Sequence, residues 1–76
     1  MNNLRRKAIA NIQSKLEELA NLIEEVKAEE EEYLDNIPEN LQGSARYESA
    51  EAAIENLEEA TSTLEDVISY LEEAIL

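Results

Sequence analysis

The chain has 76 residues, no cysteine or histidine, one glycine, and 19 acidic against 6 basic residues, for a net charge of −13. One domain is the most this length allows, and a lone chain of this size buries only about 60% of the surface it exposes when unfolded. Without thiols or imidazoles there is no disulfide, no set of ordinary zinc ligands and no Ser–His or Cys–His catalytic pair, which leaves self-association or docking on a partner to supplement a small core.

The first predicted element is a long amphipathic helix over about residues 3–35. Ile9, Ile12, Leu16, Leu19, Ile23 and Val26 step by three and four alternately, the spacing of one helix face. With Ile9, Leu16 and Ile23 as a positions of a heptad, Ile12, Leu19 and Val26 are d positions. Tyr33 and Ile37 continue the series, and Glu30 is the one charged residue at a. Leu22 at g, and Ala20 and Leu34 at e, widen the stripe.

The turn follows at about residues 36–43. Pro38 disfavours helical geometry at Ile37 and cannot continue the hydrogen-bond ladder. Asn36 suits the cap of a short turn with Pro38 early in it. Gly43 is expected to supply a backbone bend that other residues resist, and Ser44 is a suitable N-cap.

A second helix is predicted over about 44–75. Tyr47, Ala50, Ile54, Leu57, Thr61, Leu64, Ile68, Leu71 and Ile75 fill its a and d positions. Its e flank is Glu51, Glu58, Glu65 and Glu72, whereas its g flank is Ala53, Ala60, Val67 and Ala74. An a/d/g stripe is wide enough for two neighbours. The fold class is therefore all-α: a coiled-coil-like antiparallel two-helix hairpin spanning residues 1–76, expected to assemble through the Ala53, Ala60, Val67 and Ala74 flank into a homodimer, a four-helix bundle.

Pairing outward from the turn sets Val26 near Ile54, Ile23 near Leu57, Leu16 near Leu64 and Ile12 near Ile68. It also sets Arg5, Arg6 and Lys7 beside Glu72 and Glu73, where they complement the negative end of the second helix. Thr61 at an a position faces the Leu19 layer, either as a tolerated small polar residue or as a register-setting one.

The remaining surfaces are acidic or mixed. Glu29, Glu30, Glu31, Glu32, Asp35, Glu39, Glu48 and Glu51 gather toward the turn end as an acidic patch, with Glu30 within reach of Arg46. Pro38, Leu41, Arg46 and Tyr47 form the most chemically varied surface, the expected protein-binding site, and Tyr33 and Tyr47 are expected to meet there against Ile37 and Leu41. Glutamate pairs of the glycosidase kind would need a concave pocket that a hairpin does not offer. No catalytic, cofactor-binding or metal-ligating set is read from the chain. The negative balance opposes direct contact with nucleic acid or anionic membrane. With no targeting segment and no span of about 20 apolar residues, a cytoplasmic protein is expected.

The segment Tyr33-Leu34-Asp35-Asn36-Ile37-Pro38-Glu39-Asn40-Leu41-Gln42-Gly43-Ser44, continuing through Arg46-Tyr47-Glu48, resembles a turn in small acidic helical-hairpin proteins of unknown function from Gram-positive bacteria and their phages. The resemblance covers about a fifth of the chain and brings no activity. It implies a bacterial or prophage origin. The leading expectation is a non-enzymatic interaction module that self-associates and binds protein. The alternative is a phage-type acidic inhibitor, or nucleic-acid mimic, in a basic cleft of a host nucleic-acid-handling protein.

Overall fold

The computed structural model describes residues Met1–Leu76 as helix α1 (Asn3–Asp35), a single 3-10 turn (Glu39–Leu41) and helix α2 (Ala45–Ala74). The two helices pack side by side into a rod of 60 × 15 × 12 Å. They run antiparallel: the Arg6 Nε–H donates to the Ile75 carbonyl at 3.2 Å, and the Gln13 amide donates to the Ile68 carbonyl at 3.4 Å.

Local chemistry sets each end. The Asn2 side chain accepts the Arg5 N–H at 2.8 Å, supplying one partner that the first helical turn lacks. The first turn carries no acidic residue to match the dipole. Instead Arg6 reaches across to a terminal carbonyl of α2, so a side chain of the α1 start serves the α2 end. No ion pair forms between Arg5, Arg6 or Lys7 and Glu72 or Glu73; the contact made is with the backbone.

α1 stops at Asn36, whose N–H returns to the Glu32 and Tyr33 carbonyls. Pro38 then takes an extended conformation, φ −56° and ψ 146°. A relay of short backbone bonds crosses the turn: Leu41 N–H to Pro38, Gln42 to Glu39 and Ser44 to Leu41. The Ser44 hydroxyl caps α2 by accepting the Tyr47 N–H at 3.3 Å. Asn36 closes α1 through its backbone, and no side chain caps the 3-10 turn.

The role expected of Gly43 is not found. No residue of the chain has positive φ, and a Cβ at Gly43 would meet nothing within 4 Å. The relay of 3-10 bonds makes the reversal with ordinary backbone angles, so no residue is asked to adopt the left-handed region.

α2 presents its a and d positions to the seam: Ala50 and Thr61 are buried, and Ile54, Leu57, Leu64, Ile68 and Leu71 are half-buried. α1 does not present a and d. Its covered residues are Arg6, Ile9, Gln13, Leu16, Ala20, Ile23, Lys27, Glu30, Leu34 and Ile37, which are the a and e rows. The d residues lie outside, with Ile12 47%, Leu19 51%, Val26 52% and Tyr33 43% exposed. At about 100° per residue, the contact line is turned about 50° from the a/d line. The pairings of Ile12 with Ile68 and of Val26 with Ile54 are therefore replaced; Gln13 is the residue at Ile68. On the same turned line Ala20 is covered whereas Leu19 is exposed.

The turned seam is matched by the polar contacts that cross it. In an antiparallel pair the two e rows face each other. The e row of α2 is all glutamate, and the e row of α1 holds Arg6, Gln13, Ala20, Lys27 and Leu34, with no acid. The three polar contacts between the helices, Arg6 to Ile75, Gln13 to Ile68 and Lys27 to Glu58, all start from that row. Apolar stems cover the seam while polar heads reach across it.

Candidate interaction surfaces

The hairpin has two unlike broad faces. The first is the face of the e rows, extended by the b rows. It carries Glu17, Glu24 and Glu31 from α1, and Glu48, Glu51, Glu55, Glu58, Glu65 and Glu72 from α2. Its centre is Lys27, whose Nζ lies 3.5 Å from Glu24, 3.8 Å from Glu31 and 3.5 Å from Glu58. Desolvation of the ammonium pulls its pKa down, but the charges of Glu24, Glu58 and Glu31 and a hydrogen bond to Glu24 outweigh that and leave it raised.

The second face is built from the d row of α1 and the g row of α2. Tyr33 of α1 lines one hollow together with Arg46, Ser49 and Ala53 of α2, which shows that these rows share a side. From α1 it carries Ile12, Leu19, Val26 and Tyr33, all exposed, and Leu22 beside them at 53% exposure. From α2 it carries Ala53, Ala60, Val67 and Ala74; Ala53 is half-buried and the other three are exposed. The next row of α2 is Ser49, Asn56, Thr63 and Tyr70, again without an acid. Glu29 is the single acidic residue in the d and g rows of α1 and the c and g rows of α2, which also hold Arg5, Lys15 and Arg46.

The sequence locates the α2 half of this face and misses the α1 half, because Ile12, Leu19 and Val26 are assigned there to the seam. The signal that separates them is the acid-free e row of α1 opposite four glutamates. Gln13 is missed for the same reason: it is buried, although it sits outside the a/d pattern.

At the turn, Pro38, Leu41 and Arg46 line one groove together with Tyr33, Asn36, Ile37 and Ser44. Tyr47 does not line it; it is half-buried at its a position, and Tyr33 supplies the aromatic ring of the groove. Leu41 stays 46% exposed at the tip.

The acidic residues of the turn end do not form one flat patch. Glu29, Glu30, Glu31 and Glu32 are consecutive on a helix, so they point in four directions. Glu30 is half-buried, Glu31 is held by Lys27, and Asp35, Glu39, Glu48 and Glu51 ring the end. Glu30 and Arg46 line the same hollow without an ion pair. Thr61 spends its hydroxyl inside its own helix, donating to the Leu57 carbonyl at 3.1 Å. That bond uses its only donor, and no side chain of the opposite helix donates to it, so Thr61 is a satisfied small residue buried in the seam.

No three acidic side chains come together in an arrangement that could hold a metal ion. No helix is long and apolar enough to cross a membrane. The fold defines the class as a two-helix hairpin with one charged and one apolar broad face. No protein-family model, curated protein or solved structure matches the chain.

Proposed function

We propose that this protein is a non-enzymatic helical-hairpin interaction module whose first partner is a second copy of itself. The observation that carries this is the surface left by the isolated hairpin. A compact protein of 8.6 kDa exposes about 4,700 Å², whereas this chain exposes 5753 Å². The excess of about 1,000 Å² is close to the roughly 800 Å² that each partner buries in a standard interface. The core is correspondingly thin: four residues of 76 are buried, and no large side chain is fully enclosed. The face formed by Ile12, Leu19, Leu22, Val26 and Val67 with the alanine row offers contiguous apolar surface of the kind that marks an interaction site. Covering it with the same face of a second hairpin gives a four-helix bundle.

Sedimentation equilibrium across micromolar concentrations tests this reading. A dimer mass is expected, and a mass of one chain throughout would overturn it. Salt gives an independent sign. Two chains of −13 repel, so added salt should tighten self-association.

A second reading rests on the charged face. Of the 19 acidic residues, Glu24, Glu31 and Glu58 lie within ion-pair distance of a cation. The unpaired remainder favours a basic protein partner, as an acidic inhibitor or nucleic-acid mimic of bacterial or phage origin would require. Capture of such a partner should weaken steeply with salt, the opposite sign to self-association. Capture that ignores salt would sink this second reading.

A further inference from the structure

The apolar face can receive a second copy in two ways about a two-fold axis. With both turns at the same end, α1 stacks on α2 of the second copy. With the turns at opposite ends, α1 stacks on α1 and α2 on α2. Packing alone does not choose: the first arrangement seats the Ile12, Leu19 and Val26 row against alanines, and the second sets Ile12 opposite Val26 around a central Leu19.

Charge does choose. The contacts of Gln13 with Ile68 and Lys27 with Glu58 fix which residues share a level along the rod. On that register, the half of the hairpin nearer the turn, residues 20–62, holds 13 acidic and 2 basic residues, net −11. The half nearer the termini holds 6 acidic and 4 basic residues, net −2. Screening over about 10 Å at 0.1 M salt leaves neighbouring ends as the pairs that matter. Turns together would put −11 beside −11. Turns apart put −11 beside −2, and bring Arg5, Arg6 and Lys7 of each copy alongside the Glu29–Glu32 run of the other.

We propose that the self-associated form is an antiparallel pair of hairpins, joined through the α1 d row and α2 g row, with their acidic turns at opposite ends. This deepens the self-association reading and rests on it. The interface is isologous, and with the turns apart every row that contributes meets itself in reverse.

The experiment uses the full chain with Asn40→Cys at the exposed turn, spin-labelled there, in one sample read twice. Sedimentation equilibrium gives the mass, and dipolar spectroscopy gives the label-to-label distance. The expected result is a dimer mass with a distance approaching the 60 Å length of the rod. A dimer mass with a distance under half that length overturns the antiparallel arrangement and leaves self-association standing. A mass of one chain overturns self-association itself. Ala10→Cys, exposed on the charged face near the other end, repeats the measurement without touching the turn. It should give a distance shorter than that of Asn40→Cys but longer than the thickness of two stacked hairpins, and a distance no greater than that thickness would again mean that like ends are together.

Discussion

The two broad faces of the hairpin are made from the same two helices, yet they solve different problems. On the charged face, Lys27 and the glutamates around it keep the rod in water, and one cation holds three carboxylates. On the other face, Ile12, Leu19, Leu22, Val26 and Val67 stand exposed with a single acid among them. A chain of −13 that only needed solubility would have no reason to keep one face almost free of acid. The difference teaches that the charge on this protein is unevenly placed as well as plentiful, and that the placement leaves one face almost free of acid.

The comparison breaks most sharply at the centre of the apolar face. Leu19→Glu would place a charge where the proposed second copy would pack, and burying an unpaired carboxylate is costly. Self-association should weaken by about 3 kcal/mol, roughly a hundredfold or more in Kd, read by sedimentation. The helix signal in circular dichroism should hardly change, because Leu19 is 51% exposed in the hairpin. Ala60→Glu tests the α2 side of the same face in the same direction.

A smaller effect is expected where the two faces share their support. Ile37, buried beside the turn, holds the ends of both helices. Ile37→Ala should cost about 2 kcal/mol of unfolding free energy, the lower end for such truncations because the site is near the surface. Denaturant titration reads it, and a loss below about 0.5 kcal/mol would mean that the turn is held by its backbone relay alone.

Gly43→Ala should be neutral to stabilising by about 0.5 kcal/mol, because the native φ suits alanine and the unfolded chain loses freedom. Thermal melting checks it. Marked destabilisation would show a left-handed Gly43 after all.

The smallest effect belongs to the charged face. Lys27→Met should lower the melting temperature slightly and leave the mass unchanged. The sign with pH follows from a raised pKa. The contribution of Lys27 is fully present below the unfolded value of 10.5 and is lost as pH rises through the higher folded value. Wild type and Lys27→Met should therefore differ at neutral pH and converge in strong base. A variant that changed the mass instead would move the interface to the charged face.

Much of this molecule was legible in the chain. The three-and-four stepping of Ile54, Leu57, Leu64, Ile68 and Leu71 gives α2 its covered face, because the e positions there are all glutamate and the g positions after Arg46 are all small or apolar. α1 was harder. Its apolar residues occupy a, d, e and g, a stripe so wide that several rotations bury similar area, and periodicity cannot rank rotations that are nearly equal in hydrophobic terms. The turn groove was half legible: Pro38, Leu41 and Arg46 are brought together, but the aromatic ring comes from Tyr33, since Tyr47 falls on the covered line of α2.

By itself, then, the sequence determined two amphipathic helices, the reversal at Pro38, the Ser44 cap and the all-glutamate flank of α2. Each of these is set by local backbone chemistry or by the period of 3.6 residues. Only the tertiary structure decided the rotation of α1. That choice rests on cross-helix contacts of Arg6, Gln13 and Lys27 with partners 31 to 69 residues away. By turning α1 toward the glutamate row, those contacts also turned Ile12, Leu19 and Val26 outward and made the apolar face.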